Sequence, residues 1–139
     1  MIQPATTIET PTPDLLAHYQ HNACIVSFLD DSVLEFADVL SVATDLEQIV
    51  DSMTTPNLIL DMDGLSRCTS MILNVLLEIR SMCEDRGGTL CLANVGGFIQ
   101  EVFRITKMNG KFRFYASVEQ ASLDLRQPRI EAFRPFDLN

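Results

Sequence analysis

The chain has 139 residues, 47% of them hydrophobic, and a formal net charge of −9. That length and apolar content suit one compact domain of mixed helices and strands, and no apolar run approaches the roughly 20 residues a membrane-spanning helix needs. The acidic balance repels nucleic acid and anionic membranes, leaving a basic protein partner or plain solubility as its meaning.

The charge is unevenly distributed. No Lys or Arg precedes Arg67, and that first stretch holds eleven acids; the rest of the chain carries ten bases and eight acids. The four cysteines, Cys24, Cys68, Cys83 and Cys91, have no CxxC spacing and no neighbouring histidines. They read as small core residues of a reduced, cytoplasmic protein. The N-terminal MIQPATTIETPTPD has neither the basic head nor the apolar stretch of an export signal.

Residues 1–13, rich in Thr and Pro, read as a loose N-terminal arm ahead of a domain spanning 14–125. Leu15–Tyr19 and Ala23–Leu29 suit two strands joined through a tight turn at His21-Asn22, a hairpin. Asp30-Asp31-Ser32 interrupts, and a helix is expected from Asp38 to about Ser52, with Val39, Val42, Leu46, Ile49 and Val50 facing inward. The run from residue 57 to 62 reads as a buried central strand, ended by Asp61, Asp63 and Gly64 in a turn. A polar knot, Ser66-Arg67-Cys68-Thr69-Ser70, leads into a helix from Ser70 to Asp85 that Gly87-Gly88 closes. Then come a strand at 89–93, a helix at 98–105, a strand at 112–115 and a final helix capped by Ser117 with Gln120. Residues 126–139 read as a loosely packed tail, with Ile130, Phe133 and Phe136 able to dock on the domain. The order β-β-α-β-α-β-α-β-α implies an α/β fold: a mostly parallel sheet of four to five strands, an N-terminal hairpin and about four covering helices.

Catalytic chemistry finds little support. His18 and His21 lack metal-ligand spacing, and the glycine pairs form neither a dinucleotide nor a P-loop signature. Asp61 and Asp63 read as strand-end and turn residues rather than an acid–base or metal pair. Neither an enzyme, a metal site nor a cofactor is expected. Thr69-Ser70 stands out instead, because hydroxyls at a helix start lie where free N–H groups and the helix dipole favour a phosphate. Simple N-capping is the competing explanation for the same pair.

At this point the sequence resembles a known family. LILDMDGLSRCTSMILNVL, DRGGTLCLANV and EVFRITKMNGKFRFYASVEQAS are similar, in order and spacing, to stretches of the STAS domain of bacterial anti-sigma factor antagonists. Leu34-Glu35 falls about where the family has an early Leu-Asp pair. The resemblance runs from about Asp14 to Leu125 and implies the STAS fold. It matches Asp61 to the strand aspartate, Gly64 to the turn glycine and Ser70 to the phosphorylated serine, with Thr69 the alternative acceptor. Thr69 stands where the family has aspartate, and Ile72 replaces the helix-opening glycine, putting bulk where the family's partner meets bare backbone.

The function so implied is partner switching. The unphosphorylated domain would bind an anti-sigma factor, a serine kinase with a GHKL-type ATP site, and phosphorylation of Ser70 would end binding; a serine phosphatase would reverse it. The expected partner footprint is Asp30, Asp31, Glu35, Thr69, Ser70, Met71 and Asn94, with the protein cytoplasmic and a monomer or weak homodimer. Two other classes stay open: a constitutive STAS scaffold in which Ser70 only caps its helix, and a sensor of a small ligand such as a nucleotide or lipid.

Overall fold

Apolar residues alternate with a period of two along the strands, and the side chains sort into two clusters on opposite faces of one sheet. A computed structural model describes residues 6–8, 15–20, 23–28 and 36–126. These form β1 (Thr6–Ile8), β2 (Leu15–Gln20), β3 (Ala23–Phe28), α1 (Phe36–Asp51), β4 (Asn57–Asp61), α2 (Ser70–Asp85), β5 (Thr89–Ala93), α3 (Gly97–Ile105), β6 (Arg113–Tyr115) and α4 (Val118–Arg126). The strands lie in sequence order in a six-stranded sheet. β1–β2 and β2–β3 are antiparallel, and β3 to β6 pair in parallel.

The expected α/β architecture is present, with one more strand than the four to five anticipated. The addition is β1, inside the segment read as a loose arm. Its Thr-Thr-Ile sequence is β-branched throughout, which favours extended backbone, and its register sets Thr6 against Tyr19 and Ile8 against Ala17. The hairpin turn at His21-Asn22, the Leu34-Glu35 pair and the tail from 127 lie outside the described residues. No helix among the described residues is long and apolar enough to cross a membrane.

One sheet face presents Ala17, Cys24, Val26, Leu58, Leu60 and Leu92 to α1, α2 and α3, whose Leu46, Leu76 and Phe103 are fully buried. The other presents Ala23, Ile25, Ile59, Cys91 and Ala93 to α4 through Ala121 and Leu125. Ser117 Oγ accepts the Gln120 N–H at 3.1 Å, so the expected cap starts α4. Cys24, Cys83 and Cys91 are buried, and Cys68 is half-buried.

Two helix ends set the loops. α2 closes with the Gly87 N–H on Glu84 O (3.0 Å) and the Gly88 N–H on Cys83 O (2.8 Å), while Gly87 takes φ +81°. Gly88 then runs against the backbone of Pro56, and a Cβ built there would lie 1.8 Å from Pro56 O. α3 closes in the same pattern, Lys107 N–H to Arg104 O and Met108 N–H to Phe103 O. Here the left-handed residue is Lys107 at φ +62°, a conformation that costs an L side chain energy. α1 has no basic residue in its last turn, and Arg86 fills that role from the end of α2. Its Nη1 donates to Val50 O at 3.0 Å and to Met53 O at 3.2 Å, and its Nη2 lies 3.4 Å from Asp51 Oδ1.

Urea melts will separate these positions. Gly88→Ala is expected to cost more than about 3 kcal/mol because backbone must move, whereas Gly87→Ala costs about 1 kcal/mol of left-handed strain. Lys107→Gly is expected to raise stability by about 0.5–1 kcal/mol; a loss on that substitution would contradict the strained cap.

Candidate functional site

The site grows from the carboxyl ends of β4 and β5. β4 ends at Asp61, whose Oδ1 accepts the Asp63 N–H at 3.1 Å, an Asx-type bond that turns the chain. The same oxygen accepts Asn94 Nδ2 at 3.0 Å. Asp61 lies beside Ala93 in register, so the residue that follows β5 is placed to reach it. Asn94 sits at φ +58°, a left-handed conformation that Asn tolerates better than most residues, and its N–H donates to Tyr115 O at 3.2 Å. One asparagine thus ties the ends of β4, β5 and β6 together.

Beyond Asp61 the chain is pinned again by the Met62 N–H on Ala93 O (2.9 Å) and the Leu65 N–H on Met62 O (3.0 Å). Met62 and Leu65 are buried, and they plug the apolar core under the turn. Ser66 and Arg67 emerge to solvent, and Cys68 and Thr69 are half-buried. Burial pushes the Cys68 thiol up to about 11, so it stays protonated near neutral pH.

The helix start divides the hydroxyl pair between two tasks. Thr69 has extended backbone, φ −115° and ψ 160°, and its Oγ1 accepts the Ile72 N–H at 3.3 Å. Its carbonyl accepts the Leu73 N–H at 3.1 Å, so Thr69 is the N-cap. Ser70 is the first helical residue and is exposed. The cap bond that could have explained Ser70 belongs to its neighbour. The first turn of α2 carries no acid, which leaves its positive dipole end uncompensated by a side chain of the helix itself.

Ile72 corrects an expectation. It is fully buried, so the bulk that replaces glycine enters the core under α2 instead of the surface around Ser70. The reason is geometric: two residues after an outward-facing position, the 100° step carries a side chain to the inner face. Met71 is half-buried against the core.

Of the expected footprint, Thr69, Ser70 and Met71 share the first turn of α2, and Asn94 stands at the same sheet edge. Asp30, Asp31 and Glu35 lie outside the described residues. Asn94 is half-buried with its amide committed to Asp61, which makes it a residue that fixes the edge rather than one that reaches outward. Asp61 is a turn residue as expected, and Asn94 is the partner that the expectation lacks. The signal was available: an aspartate ending one parallel strand and an asparagine following the next.

A family model for the STAS domain matches residues 17–121. Among solved structures, an anti-sigma-factor antagonist (STAS) domain protein from Planctomyces limnophilus is 15% identical with a TM-score of 0.73, covering 82% of this chain and 99% of that chain. An anti-sigma factor antagonist from Mycobacterium paratuberculosis is 14% identical with a TM-score of 0.69, over 88% of this chain and 95% of that one. The Bacillus cell fate determinant SpoIIAA in its phosphorylated form is 15% identical with a TM-score of 0.61, over 81% and 99%. At these identities the likeness is one of fold. No curated protein matches the chain in sequence.

The division of labour at the helix start has a thermodynamic signature. Thr69→Ala is expected to cost about 1 kcal/mol in urea unfolding, the usual loss for a side-chain N-cap, and Ser70→Ala less than about 0.5 kcal/mol. The reverse order would assign the cap to Ser70.

Proposed function

The chain belongs to the STAS domain family, and we propose that it is a protein-binding regulatory module of the anti-sigma factor antagonist kind, switched by phosphorylation of Ser70. One observation carries the reading: Ser70 is exposed at the first position of α2 while Thr69 makes the cap bond. The hydroxyl is therefore available to a kinase without unravelling the helix.

A phosphate on Ser70 adds close to two negative charges and three acceptor oxygens. The free N–H groups of the first turn and the helix dipole accommodate that charge within the domain. Thr69, in place of the family's aspartate, adds no repulsion of its own. The cost falls on the partner, which must desolvate a dianion to dock on the same turn. The fold does not have to rearrange, because the Asp61–Asn94 bond and the buried Ile72 hold the turn in place in both states.

The partner in this reading is a cytoplasmic anti-sigma factor that is also a serine kinase with a GHKL-type ATP site, with a serine phosphatase restoring the bound state. Thr69, Ser70 and Met71 form the centre of the contact. The acids Asp30, Asp31 and Glu35 attract a basic partner surface. Asn94 acts through the edge it fixes. The domain itself supplies binding and no catalysis, as a monomer or a weak homodimer.

Phosphopeptide mapping of the protein from its native cells, with and without stress, is expected to place a single phosphate on Ser70. Ser70→Asp is expected to lower affinity for the partner kinase by tenfold or more, with Ser70→Ala binding as the unmodified protein does. Equal affinity of both variants and no phosphate in cells would leave a constitutive binding module and sink the switch.

A further inference from the structure

Charge around the Ser70 turn is nearly all of one sign, and the exception stands beside the serine. Residues 1–79 hold twelve acids and a single Lys or Arg, which is Arg67, three positions before Ser70. β4, β5 and β6 run in parallel, so the loops that leave them open on one edge of the sheet; these are residues 62–69, 94–96 and 116–117. Among these described loops Arg67 is again the one base, with exposed Asp63 on its own loop. Arg80, Arg86 and Arg104 are engaged elsewhere. Arg80 lies about 15 Å down the axis of α2 from Ser70 and pairs with Glu84 at 3.3 Å. Arg86 holds the end of α1, and Arg104 pairs with Glu101.

The backbone keeps Arg67 and Ser70 close. Three residues of fully extended chain span at most about 10 Å. Arg67 and Ser70 are both exposed, while Cys68 and Thr69 between them are half-buried and Thr69 is held by its cap bond to Ile72. A protein that reaches for the Ser70 hydroxyl therefore meets the guanidinium in the same approach. The planar guanidinium binds a carboxylate through two parallel hydrogen bonds, a geometry that lysine matches in charge alone.

We propose that Arg67 is the specificity-determining residue of the Ser70 site: the serine kinase that modifies Ser70 has a carboxylate pocket that receives the Arg67 guanidinium. The inference rests on the phosphorylation reading and adds the recognition chemistry to it. An acidic pocket is repelled by the acids of this turn and is satisfied in one register, with Arg67 inside it. A shift of one residue, toward Thr69, would leave those carboxylates desolvated and unpaired. Ser66, also exposed, precedes Arg67 and so lies on the wrong side of the pocket. In the transfer the Ser70 oxygen bonds to the γ-phosphorus of ATP as the bond from that phosphorus to the β–γ bridging oxygen breaks. ADP leaves, and the hydroxyl proton passes to a base of the kinase.

The test uses the full-length protein, ATP and clarified extract of native cells as the source of kinase. Phosphopeptide mass spectrometry counts phosphate at Ser66, Thr69 and Ser70. Initial rates against protein concentration give apparent KM and kcat for wild type, Arg67→Gln, Arg67→Lys and Arg113→Gln. The last removes an exposed arginine at the start of β6. Thermal melts confirm that each variant is folded. Arg67→Gln is expected to lower kcat/KM at Ser70 at least tenfold, mainly by raising KM. Arg67→Lys recovers part of that loss, and Arg113→Gln stays within twofold of wild type. Modification of Arg67→Gln within twofold of wild type overturns the assignment and leaves the switch standing. An equal loss in Arg113→Gln overturns it too, since charge anywhere would then serve. No phosphate on Ser70 of the wild type overturns both the assignment and the switch.

Discussion

Nothing larger than hydrogen fits at position 88. The backbone of Gly88 lies so close to Pro56 O that an added Cβ would meet it at 1.8 Å, and the next residue, Thr89, donates its N–H to that same oxygen at 3.0 Å. This contact starts the parallel pairing of β4 and β5 with Asn57 opposite Thr89. At the other end of the same two strands Asp61 and Asn94 are bonded at 3.0 Å. This inner parallel pair is thus fixed at both ends, one by a missing side chain and one by two polar ones. A slip by one residue would exchange the two faces of a strand and bury its outward set in the wrong layer.

That fixed register places the start of α2. Five residues after β4 the chain has already passed two buried plugs, Met62 and Leu65, and the helix must begin where Thr69 can cap it. The electrostatics follow from the position. A helix N-terminus with no acid in its first turn presents partial positive charge to the exposed Ser70 hydroxyl. The fold thereby gives the cap bond to Thr69 and leaves Ser70 exposed, the division on which the proposed switch rests.

Much of this was legible in the amino-acid sequence, and the reasons are specific. α2 and β5 appear at the expected residues, because a polar knot, an apolar period and a glycine pair bound one, and a short apolar run the other. α1 starts two residues before Asp38, since the acid sits within the first turn instead of preceding it. β1 escaped notice because three residues between prolines carry no periodicity; only pairing with β2 makes them a strand. The burial of Ile72 was hidden because a family comparison marks where a glycine is replaced and not which way the new side chain turns. Lys107 at φ +62° was equally hidden, as its residue type argues against the conformation that the end of α3 imposes.

The grip of Arg86 has a mechanical consequence. Its guanidinium sits at the end of α2 yet holds one carbonyl in the last turn of α1, Val50 O, and one just past it, Met53 O, with Asp51 beside it. A planar fork with several donors can span these acceptors at once, which a lysine's single ammonium does less well. The two longest helices are therefore hinged to each other at one end and bedded on the same sheet face along their length. A load applied to the first turn of α2 is passed down its axis into α1 and the sheet, and the layer answers as a stiff plate. In the proposed switch, stiffness of that kind would keep a phosphate on Ser70 from being absorbed by the fold, so that a partner docking on the tip would meet it.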